Sequence, residues 1–176
     1  MTDSTKGKDG AKEIIMDYVI SWALRNAQNI CKNENPILYN YCRRLLSLLL
    51  NKDLNESDEV TVETWKQFER IDLWVYVTIN GEEHDILIED KYYSPLHGNQ
   101  LNRYKIIFDD WLKENRPHSN PHYILLSCME SYYPKISIYE NPIFRIIAWD
   151  EMIEAMGCDK SNPSGSDIFD EFFIYW

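Results

Sequence analysis

The dipeptide Asn80-Gly81 constrains the fold of this chain more than any other feature. It separates an alternating run, Arg70 to Ile79, from a second strand-like run from about His84 to Lys91. Asn-Gly between such runs predicts a β-hairpin, because both central positions of the favoured turn need positive φ. In the first run the aliphatic residues at 71, 73, 75, 77 and 79 share one face, with Asp72 on the other. In the second, Glu89 and Lys91 are two apart and point the same way. A two-residue loop pairs Ile79 with Glu82 and sets Asp72 opposite Glu89, whereas a four-residue loop sets Asp72 opposite Lys91. Either register puts Asp72, Glu89 and Lys91 on one face of the hairpin. Like charges directly opposite one another are destabilising. Facing carboxylates therefore predict a cation, and a hard divalent ion with oxygen ligands suits them, with Lys91 beside it as donor or activator.

The same residues carry a family resemblance. Asp72, then Glu89-Asp90-Lys91 at the end of the next strand, then Gln100-Leu101-Asn102-Arg103-Tyr104 at a helix start resemble the PD-(D/E)xK nuclease superfamily. The Gln-x-x-x-Tyr spacing is similar to the branch holding RecB-like and lambda-type exonucleases. Order, spacing and strand placement agree over roughly residues 34–128; the Pro usually written before the Asp is Ile71 here. The resemblance implies a three-layer, restriction-endonuclease-like α/β domain. It also implies a Mg²⁺- or Mn²⁺-dependent nuclease, acting on DNA more readily than RNA, either alone or as a homodimer or larger complex. Asp72, Glu89 and the backbone carbonyl of Asp90 would hold the ion. Lys91, Gln100 and Tyr104 would complete the catalytic set, and Arg70, Arg103 and Lys105 would contact nucleic acid. Relatives often add an acid from the helix before the sheet; Glu34 is the first candidate and Glu63 its competitor. Small stand-alone relatives are linked to phage defence, mobile elements and repair. A nuclease fold turned into a binding module is the alternative.

The rest of the chain fits such a domain. Residues 1–10 are polar and expected to fray, leaving 11–176 as one domain. From Ala11 to about Asn29, the spacing of Ile14, Ile15, Tyr18, Val19 and Trp22 predicts an amphipathic helix with that stripe inward. Asn35 can cap a second helix that starts at Pro36 and reaches Leu50, burying Leu38, Tyr41, Leu45, Leu48 and Leu49. Residues 60–66 predict a strand, which makes a three-stranded antiparallel meander with the hairpin. Asn99 is expected to cap a helix whose buried stripe is Leu101, Tyr104, Phe108, Trp111 and Leu112. The apolar runs at Tyr123 to Met129 and Phe144 to Trp149 predict parallel strands, the first added by a helical crossover. Asp150 can cap a last helix, and the aromatic run from Ile168 to Trp176 is expected to dock on the core. The expected architecture is α/β, with a mixed sheet flanked by helices.

Charge weighs against the nuclease reading, and composition narrows the rest. The 29 acidic residues against 18 basic ones give −11, which repels a polyanion at long range. Cleavage then needs local basic groups, for which Arg43, Arg44, Arg70, Lys91, Arg103 and Lys105 are candidates. Cys31, Cys42, Cys128 and Cys158 are scattered and lack the clustered spacing of an iron–sulfur site. His118 and His122 stand between prolines and are rejected as a metal pair. With no apolar signal segment and no run of about 18 apolar residues, a cytoplasmic protein is expected. Lys91 would have to be partly neutral to act as a base, which neighbouring carboxylates oppose, so an electrostatic and positioning role is expected for it.

Overall fold

The computed structural model describes residues 6–69, 71–91, 99–127 and 143–175, with side chains from Ile14 onward. A five-stranded mixed sheet of order β1-β2-β3-β4-β5 runs through Val60–Phe68, Ile71–Ile79, Glu82–Lys91, Asn120–Ser127 and Arg145–Ala148. The first three strands are antiparallel; β3–β4 and β4–β5 are parallel. The hairpin takes the two-residue option: Ile79 pairs with Glu82, and Asn80 and Gly81 have φ of 53° and 85°. Those paired positive values are what the Asn-Gly signal requires.

Helices cover both faces. On one face lie α1 (Lys6–Arg25), α2 (Pro36–Leu50), α4 (Trp149–Met156) and the C-terminal turn Asp167–Phe169, which runs on into a π-helical turn, Asp170–Ile174. Their buried side chains pack with Val75, Val77, Ile86 and Ile88 in one core. On the other face α3 (Gln100–Asn115) buries Leu101, Tyr104, Phe108 and Leu112 against Trp74, Leu87 and Leu125, forming a second core. The α3 helix connects β3 to the parallel β4, as the crossover reading expects.

Local signals explain most boundaries. Asn35 accepts a bond from the Leu38 N–H and Pro36 opens α2, a cap worth about 1 kcal/mol. The C-terminal aromatics dock as expected: Phe169 stacks on Tyr41 at 5.6 Å, and Phe173 lies 4.7 Å from Phe169. Two cap assignments are corrected. Asn99 precedes α3 but forms no side-chain cap bond. Ala148 rather than Asp150 stands at the N-cap of α4, because Glu151 reaches back to its N–H.

The first helix differs most from expectation. It begins at Lys6, and its buried face is Met16, Ile20, Ala23, Leu24 and Ala27. The larger residues Ile14, Ile15 and Tyr18 are 46%, 52% and 57% exposed. Small residues let α1 approach the sheet: Ser21 is fully buried and shares a 2.9 Å hydrogen bond with Thr64 of β1. This rotation turns Asp17 inward, to 5% exposure.

A second difference lies at the end of the β1–β2 pair. Alternation holds from Leu73 to Ile79, but Ile71 packs with the α3 core while Leu73 packs with the opposite one. Residues two apart on a regular strand share a face, so the alternation breaks at Asp72. Gln67 and Glu69, on the facing stretch, have φ of 51° and 53°, left-handed values that non-glycine residues rarely adopt. The expectation that Asp72 sits squarely on the Glu89 face fails for this reason.

Candidate active site

The paired ladder of β2 and β3 ends at Leu73–Ile88. Beyond it the strand ends carry Asp72 on one side and Glu89, Asp90 and Lys91 on the other. Asp72 lies in this fork: its Oδ2 accepts the Asp90 N–H at 3.4 Å. Carboxylate oxygens of Asp17, Asp72 and Asp90 all lie within 4.8 Å of one another. Asp17 reaches this point from α1 and Asp90 from the α1 face of β3. The three offer oxygen ligands to a hard cation.

Glu89 and Lys91 occupy the α3 face of β3. Glu89 is fully buried, and its Oε1 lies 2.5 Å from the Lys91 Nζ and also accepts from the Gln100 Nε2. Its Oε2 has no hydrogen-bond partner among the described residues. Burial, followed by the charge of Asp72, raises the Glu89 carboxyl from 4.5 to about 8, against the pull of Lys91. Gln100 Nε2 also lies 3.2 Å from the Tyr104 hydroxyl. Tyr104 is buried within the α3 core, so it holds Gln100 from behind. One amide thus links the base of α3 to the acid of β3.

The fork brings together Asp72, Glu89, Asp90, Lys91, Gln100 and Tyr104, with Asp90 contributing its side chain. It does not bring Glu34 or Glu63. Glu34 lies exposed in the turn before α2, and Glu63 lies exposed on β1 opposite Tyr76. Asp17, from α1, is the acid that stands beside Asp72 and Asp90 instead. It is the only acidic residue between Ile14 and Ala27, and a helical phase drawn through Met16, Ile20, Ala23 and Ala27 would have placed it inward.

The expected basic patch is largely structural. Arg43 is buried and donates to the carbonyls of Ala27, Asn55 and Asp58, tying α2 to the loop before β1. Arg44 donates to the Met156 carbonyl at 3.0 Å, and Lys105 is ion-paired with Asp109 one turn along α3. Arg103 is exposed beside Tyr104, 5.3 Å from its ring centroid. Arg70, Cys128 and the 92–98 segment lie outside the described residues. Among the described residues no helix is long and apolar enough to cross a membrane. Comparison of the chain with protein-family models, with curated proteins and with solved structures gives no match.

Proposed function

We propose that this chain is a metal-dependent nuclease of the PD-(D/E)xK type, hydrolysing phosphodiester bonds of DNA. The observation that carries this reading is the convergence of Asp17, Asp72, Glu89, Asp90, Lys91 and Gln100 at one fork of the sheet. A structural role alone gives no reason to gather four carboxylates there, since like charges in a poorly solvated site repel.

The residues fit a hard divalent ion. Their donors are carboxylate oxygens, and Glu89 Oε2 is buried without a donor among the described residues, as a ligand atom awaiting a cation would be. Asp17, Asp72 and Asp90 would hold the ion, with Glu89 beside them. Bound there, Mg²⁺ or Mn²⁺ would offset their charge, acidify a water and stabilise the charge that develops on the scissile phosphate. Lys91, fixed by Glu89, stands where an ammonium can face a non-bridging phosphate oxygen. Gln100, held between Glu89 and Tyr104, is positioned to orient the attacking water or a phosphate oxygen. Hydrolysis forms one P–O bond to water and breaks the bond to the departing sugar oxygen, which takes up a proton.

Incubation with linear and circular, single- and double-stranded DNA in Mg²⁺, Mn²⁺ or EDTA tests the reading. Metal-dependent loss of DNA that both Asp72→Ala and Lys91→Ala abolish supports it, and survival of circles alone identifies an exonuclease. Absence of cleavage of DNA under every condition, and of RNA as well, replaces it with a nucleic-acid or protein binding module.

A further inference from the structure

The outward face of α1 has no part in the core, yet it is apolar where it borders the carboxylates. Ile14, Ile15 and Tyr18 stand 46%, 52% and 57% exposed on consecutive turns. Beside them opens a cleft of about 360 Å³, lined by Ile14, Asp17, Tyr18, Lys66 and Gln67. That volume falls within the roughly 300–1,000 Å³ of ordinary ligand sites. One wall of this cleft is Asp17, itself a member of the carboxylate cluster. The left-handed turn of Gln67 carries its side chain to this wall as well. The Nζ of Lys66, from β1, lies 3.0 Å from the Tyr18 ring centroid. An aromatic ring, aliphatic neighbours and one ammonium thus stand together beside one member of the oxygen-ligand cluster.

We propose that this cleft receives single-stranded DNA: an unpaired base takes the place of the Lys66 ammonium on the Tyr18 ring, and Lys66 moves to an adjoining phosphate. The proposal rests on the nuclease reading and names the form of its substrate. One feature favours an unpaired strand, and a second supplies its backbone contact. Stacking on a side chain needs an open base face, which a duplex covers. Lys66 supplies the complementary charge for a backbone phosphate next to that base. Asp17 and Tyr18 line the same cleft, so a base on Tyr18 brings its own backbone toward Asp17 of the carboxylate cluster.

Fluorescence anisotropy with a labelled single strand and a hairpin duplex of equal length, in Ca²⁺, tests this, with cleavage in Mg²⁺ or Mn²⁺ followed on the same samples. The single strand should bind about tenfold more tightly than the duplex, and Tyr18→Ala should remove about tenfold of that affinity. Tyr18→Phe, which keeps the ring, should restore binding to within about twofold. Lys66→Gln should weaken binding and lower the salt slope by about one charge. Tyr18 is exposed, so both of its variants should melt like the parent. If the protein degrades DNA yet binds duplex as tightly, or binds single strands unchanged after Tyr18→Ala, the cleft proposal is overturned and the nuclease reading stands. A dimer that Tyr18→Ala splits assigns the stripe to self-association and also overturns the proposal. No binding and no cleavage of either DNA overturns both.

Discussion

Asp85 and Glu89 stand four residues apart on β3, both fully buried and both turned toward α3, yet their surroundings are opposite. Asp85 accepts from the Trp74 indole at 2.7 Å, from the Ser119 hydroxyl at 2.6 Å and from the Arg116 guanidinium. Arg116 in turn lies over the rings of Tyr76 and Trp111, 3.9 and 4.8 Å from their centroids. Both oxygens of Asp85 are used and its charge is matched. Glu89 has both described partners on one oxygen, none on the other, and Asp72 as a neighbouring like charge. A strand that satisfies one acid so fully and leaves the next so lopsided separates a structural carboxylate from one that waits for something else.

Substitution should break the symmetry of this pair. The largest effect is expected at the fork: Asp72→Asn should lower metal-dependent cleavage by about 10³-fold, roughly 4 kcal/mol of transition-state stabilisation, while urea unfolding in EDTA shows little loss. Asp85→Ala should do the reverse. It strands a half-buried guanidinium and an indole N–H, so stability should fall by roughly 2–4 kcal/mol in urea denaturation, with activity lost only as folded protein is lost. Glu89→Gln should remove cleavage and yet change the stability of the metal-free protein by less than about 1 kcal/mol at pH 8, because loss of the Lys91 ion pair offsets the relief of a buried charge.

Acid–base behaviour sharpens the same contrast. The folded protein holds a proton on Glu89 that the unfolded chain releases, since its carboxyl rises from 4.5 to about 8. Metal-free stability from this group is therefore full below about 4.5 and lost as pH climbs through about 8, a slope that Glu89→Gln should flatten. The hairpin end of β3 behaves oppositely. His84 Nδ1 and His122 Nε2 are 3.2 Å apart, and burial, then the charge of His84, lowers His122 from 6.5 to about 4. Stability from His122 is present above 6.5 and lost as pH falls through about 4; His122→Gln should remove that loss. Of the two pH effects this is the smaller, and chemical denaturation across the two windows measures both.

Much of the fork could be read from residue order. Asn80-Gly81 places the hairpin and limits its register to two choices, of which the pairing of Ile79 with Glu82 is the one adopted, and it brings the Asp72 and Glu89 ends of the two strands to one end of the pair. The position of Gln100 and Tyr104 one turn apart at a helix start predicts their shared face, and they meet there. The largest apolar residues of α1 give a helical phase that leaves Asp17 off the inward stripe. The buried face is instead the one whose small residues, Ser21, Ala23 and Ala27, permit close approach to the sheet. The break in alternation at Asp72 had no sign in the sequence either, because Gln67 and Glu69 take left-handed conformations that no glycine announces. The Asp85 network needs Arg116 and Ser119 from beyond α3, a tertiary contact that strand periodicity cannot express.

The account turns on one claim: the fork of β2 and β3 is a cation site, and the Asp85 end is not. Titration of the chelator-treated protein with Mn²⁺ by calorimetry, beside Asp72→Asn and Asp85→Asn, tests it most directly. The account predicts saturable binding that Asp72→Asn abolishes and Asp85→Asn, where it folds, leaves intact. Wild-type protein that takes up no Mn²⁺, or takes it up equally after Asp72→Asn, would contradict it.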